Sequence, residues 1–292
     1  FHLGPNQLGR GCDAQLGLRL GLCVASQAIS SILLSRRHRM KYLCLGPASM
    51  GIYAMIGTLK ALEPKLGEVK EISGASAGSI LALFLALGMS VDDILEHALH
   101  VDIPKFVKLS LSCFINKFGF VETGPIRELL VDICGCDPTF AELEMKIHIS
   151  AYCLNTTQTE YFSKDTHPDM KVIDAVLMSI AIPMIFASGK YKGRTYVDGG
   201  TVEKYPLVPF IGKKPYEVMT IILKLDKVYQ ETIENPRQFV EALVRSTLEH
   251  RTRGDDLCQL TEINVGDVNV FDFNMEYEQK VKLFNIGFDV IK

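Results

Sequence analysis

Short apolar runs alternate with helical stretches from residue 41 to the end of the chain. The apolar runs predict strands at 41–45, 69–73, 146–154, 194–198, 217–225 and 260–265. The intervening stretches predict helices at 53–62, 80–87, 91–100, 124–133, 173–182, 236–250 and 276–284. Strands that are separated by helices favour a mostly parallel sheet that is covered on both faces. The pattern therefore predicts a single α/β domain over 41–292.

Two of the predicted helices have distinct sequence signatures. Residues 80–87 are apolar on every side, which is typical of a helix at the centre of a core. The helix at 91–100 is preceded by Ser90, and Asp93 follows three positions later, so the pair resembles a capping box. These signatures fix the start of one helix and predict a buried position for the other.

A Gly-x-Ser-x-Gly motif, Gly74 to Gly78, lies between the second predicted strand and the apolar helix. Glycines two positions on either side of Ser76 permit a sharp turn, which presents the serine hydroxyl at the carboxyl end of the sheet. The backbone N–H of Ala77 then lies where negative charge develops on an attacked carbonyl. The motif favours a nucleophilic role for Ser76 over a purely structural turn.

A nucleophilic serine needs a group that accepts its proton, and two candidates follow Ser76 in the chain. Asp198 ends a predicted strand, although an aspartate that starts a turn is also an ordinary structural feature. His250 completes the chain order Ser–Asp–His of an α/β-hydrolase triad. It lies in a charged helix end, however, where a solvated histidine is common. The residues alone leave both bases open.

The serine motif and the sequence Asp198-Gly199-Gly200 together resemble the patatin-like phospholipases. Further similar segments are 57–63, 139–143, 179–186 and Pro206. The likeness covers about 41–225, with a plausible family-like tail to residue 292. It implies a three-layer α/β/α patatin-like fold with a mostly parallel central sheet.

The resemblance also implies a lipid acyl hydrolase that uses a Ser–Asp dyad without a histidine. Ser76 is then the nucleophile, and Asp198 accepts its proton and later activates water that hydrolyses an acyl-serine intermediate. The expected substrate is a phospholipid or an acylglycerol, and neither a cofactor nor a metal is needed. The glycines that shape the two turns are Gly74, Gly78, Gly199 and Gly200.

The chain departs from the family at the oxyanion loop, usually G-G-G-x-(R/K)-G, where Gly46-Pro47-Ala48-Ser49-Met50-Gly51 stands here. Pro47 has no backbone N–H, and Met50 replaces the usual cation. The expected oxyanion donors are the amides of Gly46, Ala48, Ser49, Gly51 and Ala77. The loss of one donor costs on the order of 10²–10³ in rate. A catalytically impaired member that binds lipid or acts as a scaffold therefore stays an alternative.

The segment 104–120 combines bulky apolar residues with three lysines and no acidic residue. An apolar stripe with a basic rim is typical of an amphipathic segment that contacts a membrane surface. The alternative is a core helix whose lysines extend to water. We expect either a lid that makes transient contact with a lipid surface or that core helix.

Charge is divided unevenly along the chain. Residues 1–40 contain five Arg and one acid, a net charge of +4 against −7 for the remainder. The overall charge of −3 argues against a nucleic-acid-binding protein, because phosphate neutralisation favours a basic excess. The uncharged stretch 20–34 is shorter than the roughly 20 residues that cross a bilayer. We expect 1–40 to be a disordered or non-native extension, with a weak membrane anchor as the alternative.

The eight cysteines lack a zinc-binding pattern, because Cys134 and Cys136 have no matching second pair of Cys or His. Cys44 and Cys153 lie in apolar runs, where a reduced thiol behaves as a small hydrophobe. This usage favours a reducing compartment. We expect an intracellular protein that is cytoplasmic or peripherally associated with a membrane.

Overall fold

The computed structural model describes residues 40–226, 232–234, 238–239, 242–243 and 255–291. From Met40 onward the chain forms one compact unit. Residues 1–39, His250 and most of the predicted helix 236–250 lie outside the described residues. The expectations that concern them stay predictions.

The predicted elements that fall within the described residues are present, with ends shifted by a few positions. The strands are β1 (Tyr42–Leu45), β2 (Glu71–Ala75), β3 (Gly119–Val121), β4 (Lys146–Cys153), β5 (Gln158–Ser163), β6 (Met184–Phe186), β7 (Gly189–Tyr191), β8 (Arg194–Asp198), β9 (Val218–Lys224) and β10 (Gln259–Asn264). The helices are α1 (Ile52–Leu66), α2 (Ala77–Ala86), α3 (Val91–His100), α4 (Leu111–Lys117), α5 (Gly124–Cys134), α6 (Val172–Ser179) and α7 (Tyr277–Asp289). Short 3₁₀ turns connect several of them.

The central sheet has the strand order β10-β9-β1-β2-β4-β8-β7. In this order, the first five strands (β10, β9, β1, β2 and β4) are each parallel to their neighbours. Strand β8 is antiparallel to β4, and β7 is antiparallel to β8. The antiparallel strand β5 pairs with β4, and β3 and β6 form a separate parallel pair. The predicted α/β class with a mostly parallel central sheet is therefore confirmed.

The middle of the sheet is buried on both faces. Three successive residues of β1, Leu43, Cys44 and Leu45, have no exposed surface. Because successive side chains of a strand point to opposite faces, their joint burial requires cover on each side. The apolar helix α2 packs on β1, β2 and β4 and contacts α6, so it occupies the central position that its sequence predicts.

The register of β4 brings the ends of two other strands together. Ala75, the last residue of β2, lies opposite Ser150, and Asp198, the last residue of β8, lies opposite Ala151. Because β5 occupies the other edge of β4 along both stretches, β2 and β8 share one edge and approach each other from opposite directions. Ser76, the residue after β2, and Asp198, the last residue of β8, therefore meet beside adjacent residues of β4.

The segment 104–120 is not a core helix, so that alternative is wrong. It contains the end of a 3₁₀ turn, the seven-residue helix α4 and the start of β3. Leu111 and Ile115 of α4 are each 67% exposed, and Cys113 is the buried residue of that helix. The residue directly after the helix, Phe118, has a φ of 61°, which lies in the left-handed region.

Candidate active site

Ser76 occupies a sharp turn between β2 and α2. Its backbone angles, φ 53° and ψ −129°, lie in a region that L-residues rarely adopt, at a cost on the order of 1–3 kcal/mol. A Cβ at Gly74 would lie 2.6 Å from the carbonyl oxygen of Gly78, and a Cβ at Gly78 would overlap that of Leu45. The turn is therefore too tight for a side chain at either glycine position.

The Ser76 hydroxyl donates a 2.6 Å hydrogen bond to Oδ2 of Asp198. The other carboxylate oxygen, Oδ1, accepts the backbone N–H of Gly200 at 2.6 Å. Both side chains are buried, with Ser76 4% and Asp198 2% exposed. A carboxylate that is held at one oxygen and contacts the hydroxyl with the other is oriented to take the serine proton.

Gly199 and Gly200 allow the turn after Asp198 to pack closely on its neighbours. A Cβ at Gly199 would lie 2.5 Å from the carbonyl oxygen of Ser150, and a Cβ at Gly200 would lie 2.5 Å from Cβ of Pro47. The position of the carboxylate therefore depends on two residues that cannot carry a side chain without displacing β4 or the loop after β1.

Two further serines, to which the sequence analysis gives no role, hold the backbone of the Ser76 turn. The Oγ of Ser179 accepts the backbone N–H of Ser76 at 2.9 Å, and the Oγ of Ser79 donates to the Ser76 carbonyl at 2.6 Å. The backbone of Asp198 is held by the same segment, since its N–H donates to the carbonyl of Ala181, two residues after Ser179, at 2.9 Å. The signal for Ser179 was its place in the family-like segment 179–186.

The loop after β1 uses several of its amides to hold the fold. The N–H of Gly46 donates to Ile221 O and that of Gly51 to Ala48 O, each at 2.9 Å. Within the described part of the chain, no hydrogen bond is made by the amides of Ala48, Ser49 and Ala77. These three remain available as oxyanion donors, and Ser49 has a left-handed φ of 48°.

An apolar cavity of about 190 Å³ opens onto Ser76. Its walls come from the loop after β1, the start of α1, helices α2, α3 and α5, and the segment 103–107. Among its lining residues are Met50, Tyr53, Ile80, Phe84, His97 and Phe106. Burial raises the pKa of Tyr53 to about 12, and its hydroxyl donates to the carbonyl of Ala98 at 3.0 Å. The cavity therefore offers a bound apolar group mainly hydrocarbon contacts.

Searches over the described residues give two further findings. No group of three or more His, Cys, Asp or Glu side chains there is arranged to hold a metal ion. No helix in that part of the chain is long and apolar enough to cross a membrane.

A serine on a strand-to-helix turn, hydrogen-bonded to a buried aspartate at the end of an antiparallel strand, defines an α/β protein with a Ser–Asp pair. The sequence model of the patatin-like phospholipases matches residues 43–211. The chain belongs to this family, as the sequence analysis predicts.

Viral relatives match over most of the chain. It is 26% identical to the uncharacterized protein R571 of Acanthamoeba polyphaga mimivirus, over 87% of this chain and 93% of that protein. It is also 26% identical to the probable lipid hydrolase 463L of Invertebrate iridescent virus 6, over 76% of this chain and 84% of that protein. Family and relatives together support lipid hydrolase activity.

The fold is similar to that of VipD from Legionella pneumophila. The two superpose with a TM-score of 0.61 at 17% sequence identity, over 87% of this chain. The chain spans 66% of VipD, so VipD has additional parts that this chain does not match. This likeness supports the patatin fold.

Proposed function

We propose that the protein is a serine lipid acyl hydrolase of the phospholipase A or acylglycerol lipase type, with Ser76 as nucleophile and Asp198 as its base. The observation that carries the proposal is the 2.6 Å hydrogen bond between Ser76 Oγ and Asp198 Oδ2 at the mouth of an apolar cavity. Phe84, another lining residue, lies about 12 Å further along α2 at 1.5 Å per residue. A cavity of this depth and lining suits an acyl chain.

The reaction begins when Asp198 takes the hydroxyl proton as Ser76 Oγ attacks the ester carbonyl carbon. The amides of Ala48, Ser49 and Ala77 are the proposed donors to the oxyanion. The carbon–oxygen bond to the alcohol then breaks, and Asp198 returns the proton to the departing oxygen. Asp198 next takes a proton from water, whose oxygen attacks the acyl-serine. The fatty acid leaves as Ser76 recovers the proton.

Substitutions at the three candidate residues test the assignment. We expect Ser76→Ala and Asp198→Asn each to abolish hydrolysis of a short-chain acyl ester, and His250→Ala to leave it unchanged. Thermal unfolding of each variant serves as the control for folding. Loss of hydrolysis in the His250 variant as well as in the other two would support the Ser–His–Asp triad and overturn the dyad.

One observation keeps the impaired lipid-binding alternative in view. Pro47 has no N–H, and the amides of Gly46 and Gly51 are already bonded within the fold, so none of these three residues offers a free donor. A fluorophosphonate probe distinguishes the two functions, because it labels only an activated serine. We expect an adduct on Ser76 in the folded protein. A folded chain that shows no adduct would favour lipid binding without catalysis.

We propose further that 41–292 contains the whole activity and that 1–40 is an extension. The family model and the residues of the site all lie after Met40. We expect a chain that begins at Met40 to fold and to retain the activity of the full sequence, measured on the same ester. Unfolding of the shortened chain would contradict this division. The expected intracellular location, with lipid as the partner and no nucleic acid, belongs to the same proposal.

A further inference from the structure

The segment 103–121, called here the cap segment, has one side in the cavity and another in solvent. Its inner residues Ile103, Phe106 and Val107 line the cavity that opens onto Ser76. Its outer apolar residues are among the most exposed large hydrophobic side chains described. These are Leu109 at 79%, Leu111 at 67%, Ile115 at 67% and Phe118 at 59% exposure. A single short segment therefore joins the wall of the cavity to an apolar outer surface.

The outward orientation of α4 is fixed by local contacts. Ser110 caps the helix by accepting the N–H of Cys113 at 3.1 Å, and the Cys113 side chain is buried. The ring of Phe114 stacks on that of Phe120 at 4.4 Å between centroids. Leu111 and Ile115 are one helical turn apart and so share the face that points to water. The exposure of the apolar side chains is therefore part of a packed arrangement.

The lysines of the cap segment are largely neutralised. Lys105 pairs with Asp102 at 2.9 Å, and Lys117 pairs with Glu122 at 2.6 Å. Lys108 is the one lysine of this segment for which the described residues show no ion pair. The basic rim that the sequence indicates over 104–120 is thus offset by acids that flank it. An outer surface that is apolar and nearly neutral matches a zwitterionic lipid surface better than a strongly anionic one.

We propose that the cap segment docks on a zwitterionic phospholipid surface by inserting Leu109, Leu111, Ile115 and Phe118. The inference rests on the proposed function, because the lipid delivered is the substrate of the Ser76 site. Ser76 is only 4% exposed, so an ester reaches it through the cavity, and the cap segment forms part of the cavity wall. Docking there places the cavity directly at the lipid from which an acyl chain enters.

Vesicle binding tests the proposal with a matched pair of variants. Ile115→Ser removes an inserted side chain, whereas Ile211→Ser removes an isoleucine of similar exposure, 65%, outside the cap segment. We expect the full chain to co-sediment with phosphatidylcholine vesicles to a similar extent at low and high salt. The Ile115 variant should bind on the order of tenfold more weakly, as the loss of one buried large side chain implies. The Ile211 variant should bind as the unchanged chain does.

Several results would overturn the docking proposal. Undiminished binding of the Ile115 variant would remove the cap segment from the interface. Binding confined to anionic vesicles and abolished by salt would make the contact electrostatic. A dimer that Ile115→Ser converts to a monomer, with vesicle binding unchanged, would assign the surface to a second copy of the chain. Thermal unfolding midpoints of both variants check that each is folded.

The test is separable from that of the catalytic assignment. Vesicle binding is measured on Ser76→Ala, which is expected to bind as the unchanged chain does, and hydrolysis is measured on a soluble short-chain ester. If the unchanged chain does not cleave the soluble ester while Ser76→Ala still binds vesicles through the cap segment, only the hydrolase proposal fails. If the ester is cleaved and no vesicle binding occurs, the docking proposal fails alone.

Discussion

The strained backbone at Ser76 makes a prediction that separates function from stability. Ser76→Ala and Ser76→Gly both remove the hydroxyl and its hydrogen bond to Asp198, so both should be inactive. They differ in backbone freedom, because alanine retains the disfavoured φ of 53° whereas glycine adopts it without steric cost. The difference in their free energies of unfolding therefore reports the backbone strain at residue 76.

Glycine also brings two costs that must be subtracted. It increases the conformational entropy of the unfolded chain by about 0.5–1 kcal/mol, and it loses the burial of one methyl group, about 0.8 kcal/mol. Ala77 is a matched control, since it follows Ser76 directly, is 6% exposed and has no positive φ. The Ala-to-Gly step at residue 77 has the same two costs without the relief. The two steps should differ by the strain itself, on the order of 1–3 kcal/mol.

The assay is equilibrium denaturation of four chains, namely the unchanged protein, Ala77→Gly, Ser76→Ala and Ser76→Gly. At about 2–4 °C per kcal/mol for a domain of this size, thermal unfolding should show the same difference as roughly 5 °C. We expect the glycine step to be clearly more favourable at 76 than at 77. Equal steps would refute the reasoning, because the turn would then impose no strain on the residue that occupies it.

Three further predictions follow from single contacts. Gly200→Ala should lower hydrolysis of the short-chain ester by at least tenfold, because the new Cβ would lie 2.5 Å from Cβ of Pro47. Gly67→Ala is the control and should leave hydrolysis unchanged, because a Cβ there has no atom within 4 Å. Phe84→Ala should shift the preferred ester towards longer acyl chains, measured over a chain-length series, because Phe84 lines the cavity beyond the serine. Burial lowers the pKa of His148, so the unfolded chain binds more protons than the folded chain below about pH 6.5. The free energy of unfolding should therefore fall as the pH is lowered towards 5, and it should fall less steeply in His148→Gln than in the unchanged protein.

The sequence predicts best where a local signal and the final fold agree. Ser90 caps α3 as expected, with its Oγ accepting the N–H of Asp93 at 3.1 Å, and the helix occupies the predicted residues. Helix ends are predicted less well, and two of those that differ lie beside the site. Helix α6 ends at Ser179 rather than residue 182, and the carbonyl of Ala181 beyond it accepts the N–H of Asp198. Helix α2 begins at Ala77, directly after the strained Ser76.

The short strand β5 and the cap segment lay beyond what the chain pattern predicts. β5 alternates too weakly between apolar and polar positions to show as a strand, and its pairing with β4 depends on a turn at residues 154–157. The cap segment has the composition of a core helix, yet its left-handed residue Phe118 ends α4 after seven residues. The acids that neutralise its lysines flank the predicted segment, so their effect is evident only from the contacts.

Pro47 lacks a backbone N–H, and in the structure its ring also packs against another part of the site. The sequence shows only that its N–H is missing from the loop that is expected to supply oxyanion donors. In the fold, its ring lies against the backbone of Gly200, the residue whose N–H holds Oδ1 of Asp198. A proline at this point restricts the loop that packs beside the turn after Asp198, the proposed base. The missing donor and the restricted aspartate turn are therefore two consequences of one residue, and we expect the hydrolysis rate of the unchanged chain to reflect both.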